Sequence, residues 1–148
     1  MNRVKIVWIC LLLMVSMVYA EQVLKMSMNP QDEYVLITNT GTEPINLKDW
    51  VVHDHDYGKG EVYSVKLPEI ILAEGEILQL QSGKTELKGK ADENNRKQPG
   101  STYYHRWADK NVWNNGCDIA YLLNPEGNLI LEFHAGTKLG KDGKTSCK

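Results

Sequence analysis

The chain has 148 residues, of which 42% are hydrophobic and 24% are charged, and its formal net charge is −2. This length fits a single domain, and the nearly balanced charge argues against a protein that holds duplex nucleic acid through its overall charge. After the first twenty residues, no apolar run approaches the roughly 20 residues that a bilayer crossing needs.

Residues 1–20 have the composition of a secretory signal peptide. Arg3 and Lys5 precede an apolar run from Ile6 to Val15, and the segment ends on the small residue Ala20. A basic start, an apolar centre and a small residue at the cleavage position are the three parts of such a leader. We therefore predict cleavage after residue 20 and a mature protein that is secreted or held in the cell envelope. Retention of the leader as a membrane anchor is the alternative.

Short β-rich runs, each closed by turn residues, follow the leader. The predicted strands are Val23–Met28, Glu33–Asn39, Ile45–Asp54, Glu61–Leu67, Ile70–Ala73, a run through Ile77, Leu78 and Leu80, Cys117–Leu123 and Asn128–Phe133. Strands of this length, with turns every eight to twelve residues, are typical of a β-sandwich. Residues 82–100 break the rhythm and are predicted to be a long loop. Residues 136–148 are predicted to be a flexible tail that Cys147 ties down.

Three segments carry a distinctive order of residues. The first is EYVLITN (Glu33–Asn39), which Gly41, Pro44, Ile45, Leu47 and Trp50 follow; the others are LAEGE (Leu72–Glu76) and VWNNGCDIAYL (Val112–Leu122). Together they resemble the lamin-tail domain, an immunoglobulin-like β-sandwich known from nuclear lamins and from exported prokaryotic proteins. The resemblance implies an all-β, immunoglobulin-like sandwich of seven to nine strands, and we place its boundaries at residues 21–135.

Each segment also predicts a local structure. Asn39 ends a strand and is expected to tolerate left-handed turn geometry. Trp50 is expected to anchor the core, and Gly75 to adopt a positive φ in a turn. The WNNGCD corner places Asn114 and Asp118 where their side chains can satisfy backbone donors.

Two cysteines remain once Cys10 is assigned to the leader. An even number in an oxidising compartment favours a disulfide, here Cys117–Cys147, and two free thiols are the alternative. In the chain-entropy model such a bond adds roughly 3 kcal/mol. Lamin-tail domains usually have Asn-Asn-x-Gly-Asp at this corner, whereas here the glycine is Gly116 and a cysteine takes its place. A disulfide accounts for that exchange.

The segment His53-Asp54-His55-Asp56 is a candidate metal site. On a strand His53 and His55 point to one face, so that two imidazoles can chelate a metal ion. A third ligand is not evident nearby in the sequence. The alternative is a polar strand end at which aspartate side chains cap backbone donors.

A basic and aromatic window runs from Lys84 to Lys110. Basic residues between aromatic rings are suited to a single-stranded nucleic acid or a carbohydrate, and lamin-tail relatives have been linked to DNA and to protein partners. The alternative is a solvated loop whose aromatic rings, Trp113 above all, pack against the sandwich. The candidate ligand-binding residues are Lys84, Lys88, Lys90, Arg96, Lys97, Tyr103, Tyr104, Arg106 and Trp107.

The sequence gives little support for catalysis. It contains no GxSxG, no HExxH and no phosphate-binding glycine loop. We predict a non-catalytic binding or adhesion module that needs no cofactor and no resident metal, and whose partner is another chain or a surface, with polysaccharide or nucleic acid possible. The alternative function is a small metal-dependent hydrolase that uses His53 and His55.

Overall fold

The computed structural model describes residues 23–54, 63–83, 96–98 and 102–136. Eleven strands lie in these ranges, against the seven to nine that the sequence predicts. They are β1 (Leu24–Asn29), β2 (Tyr34–Asn39), β3 (Ile45–Asn46), β4 (Val51–His53), β5 (Ser64–Lys66), β6 (Ile71–Leu72), β7 (Ile77–Gln81), β8 (Arg96–Gln98), β9 (Thr102–Arg106), β10 (Asp118–Leu123) and β11 (Leu129–Ala135). None of the described residues forms a helix with the length and hydropathy that a membrane crossing requires.

The strands form two main sheets and a small third one. The five-stranded sheet has the order β1-β2-β7-β9-β8, the four-stranded sheet has the order β11-β10-β4-β5, and β3 pairs with β6. Neighbouring strands are antiparallel except β7 and β9, which run parallel. The all-β sandwich that the sequence predicts is therefore confirmed.

The core lies between the two main sheets. Because side chains alternate along a strand, each sheet turns one apolar face inward. Val35 and Leu78 from the five-stranded sheet meet Val52 and Leu122 from the four-stranded sheet in one buried cluster, and all four have zero exposure. The loop residue Trp113, only 3% exposed, completes the cluster.

The predicted strand over residues 45–54 is in fact two strands, β3 and β4. Asp49 between them has a φ of +67°, and the Trp50 amide donates to the Leu47 carbonyl over 3.1 Å. This left-handed residue reverses the chain, which moves the second half of the run from the small sheet into the four-stranded one.

The local expectations of the lamin-tail pattern have mixed outcomes. Gly75 has a φ of +73°, as predicted. Asn39 does not adopt left-handed geometry, so that prediction is wrong. It is a fully buried strand residue whose amide donates to the carbonyls of Leu72 and Glu43 over 2.9 and 2.8 Å. Trp50 packs at the edge of the core, and the deeply buried tryptophan is Trp113.

Candidate functional site

A depression of about 570 Å³ opens between the start of β5 and the segment that follows β9. Its volume lies within the range of small-molecule sites in proteins. The lining combines two aromatic rings with a hydroxyl, a carboxylate and an ammonium group. The lining residues are Tyr63, Ser64, Trp107, Ala108, Asp109 and Lys110. Below, this feature is called the depression.

The buried carboxylate of Asp54 holds the first wall of the depression. Asp54 is 4% exposed and follows β4 directly. Its Oδ1 accepts the Tyr63 amide over 2.8 Å, and its own amide donates to the Tyr63 carbonyl over 3.0 Å. Both backbone groups of Tyr63 are thereby fixed, which places its ring at the mouth of the depression.

Backbone hydrogen bonds hold the second wall. The Trp107 amide donates to the Gln81 carbonyl over 3.0 Å, and the Gly83 amide donates to the Lys110 carbonyl over 2.9 Å. Residues 107–110 are therefore bonded at one end to the last residue of β7 and at the other end to Gly83, two residues further along the chain. This wall is part of the folded frame of the domain.

Glu33 connects the same region to the turn between β1 and β2. Its side chain is 2% exposed, and its φ is +59°. Oε2 accepts the Val112 amide over 2.8 Å, the Trp113 amide over 3.2 Å and the Ser82 hydroxyl over 2.8 Å. A buried carboxylate is stable only when hydrogen bonds replace its water, and here these bonds draw three segments together.

The rings inside the depression have specific partners. The Lys110 ammonium lies 4.2 Å from the centre of the Tyr63 ring, a cation–π contact that spans the two walls. The rings of Trp107 and Trp113 are 6.1 Å apart and tilted by 51°. Both indole N–H groups are buried and have no hydrogen-bond partner among the described residues.

His105 lies on the core side of β9, two residues before Trp107. In the register of the sheet it stands opposite Leu80, which in turn stands opposite Val35. Burial lowers the pKa of His105 below its ordinary value of 6.5, because desolvation penalises the charged imidazolium. Its Nδ1 is buried and has no partner in the part of the chain that the structure describes.

The match to a family model fits this architecture. The model named Lamin Tail Domain matches residues 15–137. The chain belongs to the lamin tail domain family. No curated protein matches it. The matched range contains both sheets and the depression, so the features described above belong to the lamin tail domain itself.

The candidate ligand residues of this lamin tail domain divide between the faces of the five-stranded sheet. Tyr103, like His105, lies on the face of β9 that is turned to the core, whereas Tyr104 and Arg106 lie on the opposite face. The Arg106 guanidinium donates to the Gly83 carbonyl over 2.7 Å. Among the candidates whose side chains the structure describes, Trp107 is the one that lines the depression. By register Arg96 stands across from Tyr104 and Lys97 from Tyr103, and Lys84, Lys88 and Lys90 lie outside the described residues.

Sequence reasoning missed most of the depression. Asp109 and Lys110 fall at the end of the basic window, but nothing in their neighbourhood distinguishes them from solvated loop residues. Tyr63 and Ser64 lie more than forty positions earlier in the chain. Two signals were usable: Trp107, which lies in the basic and aromatic window, and Asp54, whose alternative role as a cap of backbone donors is the role that it has at Tyr63.

The candidate metal site is only partly within the described residues. His53 stacks on Tyr121 with 4.9 Å between the ring centres, and its Nδ1 lies 2.9 Å from the Asp54 carbonyl oxygen. His55 and Asp56 lie outside the described ranges. Among the described residues no three metal-ligating side chains cluster, and the two-histidine site stays a prediction.

The WNNGCD corner has the predicted hydrogen bonds to backbone donors at Asp118, whereas the Asn114 side chain donates to Asp118 Oδ2 over 3.3 Å. Asp118 is 2% exposed, and its Oδ2 accepts the Asn114 amide over 2.9 Å, while its Oδ1 accepts the Ile119 amide over 2.8 Å. Gly136, which directly follows β11, lies close to this corner. A Cβ added to it would be 2.5 Å from the Gly116 carbonyl oxygen. Cys147 lies outside the described residues, so the disulfide stays a prediction.

Proposed function

We propose that this lamin tail domain is a secreted, non-catalytic binding module and that the depression is its contact surface. The observation that carries the proposal is the convergence of two aromatic rings with the exposed side chains of Ser64, Asp109 and Lys110 in one open cavity. Aromatic surface beside a few polar groups is the usual composition of a ligand site. The family membership supports a sandwich domain, and the leader-like residues 1–20 support export.

The rigidity of the two walls supports binding. Asp54 fixes Tyr63, and backbone bonds fix Trp107 and Lys110. A ligand that meets a preformed surface loses less affinity to the ordering of loops. Among the described lining residues the charged groups are one carboxylate and one ammonium, a pair that suits recognition.

The test places the same bulky side chain inside and outside the depression. Ser64→Arg fills the cavity from β5, whereas Ser27→Arg makes the same change at an exposed position of β1 in the other sheet. We expect Ser64→Arg to weaken retention of the domain on polysaccharide, nucleic acid or envelope protein from its producing organism at least tenfold. Ser27→Arg should bind like the parent, and both variants should unfold at the parent temperature. Equal binding by both variants would remove the depression from consideration.

The export part of the proposal includes the Cys117–Cys147 disulfide. Gly136, the last residue that the structure describes, lies against Gly116 and the Cα of Cys117, and Cys147 is eleven positions further along the chain. The intact mass of the exported protein under non-reducing conditions tests both features. We expect a chain that starts at Glu21 and is lighter by two protons than the free dithiol. A mass that includes residues 1–20, or both thiol protons, would contradict the corresponding half of the proposal.

A further inference from the structure

The charges of the described lining residues cancel. Within the part of the chain that the structure describes, the charged side chains of the lining are those of Asp109 and Lys110, one negative and one positive. The Lys110 ammonium is also engaged by the face of Tyr63, 4.2 Å away. A polyanion is held by a net positive surface that neutralises several phosphates or carboxylates. The described lining does not present such a surface, so its charge favours an uncharged ligand.

Backbone groups on both walls already bond within the protein. The Tyr63 amide and carbonyl bond to Asp54, the Trp107 amide bonds to Gln81, and the Lys110 carbonyl accepts the Gly83 amide. At Tyr63, Trp107 and Lys110, recognition of a ligand therefore falls mainly to the side chains.

The side chains supply two kinds of contact in close proximity. Tyr63 and Trp107 offer apolar ring surface, while the Ser64 hydroxyl both donates and accepts and the Asp109 carboxylate accepts. A saccharide ring presents the matching groups, since its C–H face is apolar and the hydroxyls at its rim donate and accept. An open cavity also suits one stretch of a longer chain.

Trp107 adds an unused donor. Its indole N–H is buried and has no partner among the described residues. A buried donor in this state has lost its water without a replacement, so it gains a full hydrogen bond when an acceptor reaches it. A sugar hydroxyl or ring oxygen that reaches this N–H would supply the missing acceptor.

We infer that the depression binds a segment of a neutral polysaccharide, with Trp107 and Tyr63 against the sugar face and with Ser64 and Asp109 on its hydroxyls. The inference rests on the proposed function and names its ligand class. It assigns the affinity to ring contact and to hydrogen bonds with a ligand that carries no net charge, and such contacts are only weakly screened by salt. Binding should therefore vary little with ionic strength, unlike the binding of nucleic acid.

The first experiment compares probes of different charge. The purified protein is titrated with neutral hexasaccharides of glucose, mannose and N-acetylglucosamine, with hexagalacturonate, and with a single-stranded poly-dT oligonucleotide, each at low and high salt. We expect at least one neutral probe to bind the parent equally at both salt concentrations. Ser64→Arg should lose this binding, and Ser27→Arg should keep it. Binding of the anionic probes alone, weakened by salt, would overturn the inference and leave the proposed function standing. Failure of every neutral probe would also overturn it.

The second experiment isolates the indole donor. Trp107→Phe keeps an aromatic ring and removes the N–H, and Trp50→Phe is the matched control at the edge of the core. We expect the affinity for the neutral probe to fall about fivefold in Trp107→Phe and to stay unchanged in Trp50→Phe. The parent should also show a change in tryptophan emission on binding, which Trp107→Phe removes. A parent-like affinity in Trp107→Phe would remove the indole N–H from the site.

Discussion

The two polar segments that stood out in the sequence behave differently once folded. At the end of β4, His53 stacks on Tyr121, and the Asp54 carboxylate is used to fix Tyr63. After β9, Asp109 and Lys110 are exposed, and the Trp107 indole N–H lacks a partner among the described residues. At the end of β4 the polar side chains serve the fold through contacts with their own chain, whereas after β9 exposed side chains line a cavity that a ligand can enter.

The largest expected effect is on the frame of the depression, at Glu33. Glu33→Ala removes the acceptor of the Val112 and Trp113 amides and of the Ser82 hydroxyl. Leaving these buried donors without a partner should lower the free energy of unfolding by about 4 kcal/mol, as measured by denaturant titration.

Two further variants serve as controls for that loss of stability. Glu33→Gln keeps one acceptor oxygen at nearly the same size and should lose about half as much. Glu132→Ala removes an exposed carboxylate that pairs with His134, and surface pairs of this kind contribute at most about 1 kcal/mol. A parent-like stability of Glu33→Ala would show that these segments are held together by packing alone.

The second effect compares neighbours in the sequence, His53 and Asp54. Asp54→Ala removes the carboxylate that accepts the Tyr63 amide. We expect the free energy of unfolding to fall by about 2 kcal/mol and ligand binding to weaken. His53→Ala removes one stacked pair and should cost about 1 kcal/mol without affecting binding. If His53→Ala abolished binding and Asp54→Ala did not, the assignment of structural and functional roles between these two regions would be reversed.

The sequence predicted the fold better than the site, and the reason is physical. The β-sandwich follows from local alternation and turn chemistry, as at Gly75, and buried carboxylates such as Asp118 act within a few residues of their partners. The depression depends instead on the approach of Tyr63 and Trp107, which adjoin strands of different sheets and meet where the two sheets pack together. No local pattern encodes that packing.

The same reasoning explains the errors within the fold. The apolar residues of the run over residues 45–54 keep a strand-like spacing on both sides of Asp49, and the left-handed conformation of Asp49, a turn-forming residue, marks where the chain changes sheets. The strand β9 was not predicted because it follows a long polar stretch, although Thr102–Arg106 is rich in β-forming residues. Its pairing with β7 is parallel, a long-range choice that short-range turn signals cannot indicate.

A third prediction sharpens the comparison by changing the charge of the depression. Asp109→Lys turns a cancelling pair into two positive charges, and Glu126→Lys makes the same change in an exposed turn. We expect Asp109→Lys to gain about tenfold in affinity for single-stranded poly-dT at low salt, with the gain lost at high salt. Glu126→Lys should gain little. Equal gains in both variants would mean that overall charge, and not the depression, controls polyanion binding.

The smallest effect concerns His105, which lies on the core side of β9 near the depression. Burial lowers its pKa in the folded state, whereas the unfolded chain has the ordinary value of about 6.5. As the pH falls through 6.5, the unfolded state takes up a proton that the folded state does not. The stabilising contribution is therefore complete above about pH 6.5 and is lost as the pH falls below it.

His105→Leu tests this sign directly. The variant removes both the titration and the unpartnered Nδ1, so its unfolding free energy should exceed that of the parent by about 1 kcal/mol at pH 7. Its advantage should grow between pH 7 and pH 5, because only the parent then loses stability through this imidazole. His134→Leu changes an exposed histidine of β11 and provides the control. The difference in unfolding free energy between His105→Leu and the parent could instead stay constant from pH 7 to pH 5. The imidazole would then take up its proton equally in the folded and unfolded states, and burial beside Leu80 would not lower its pKa.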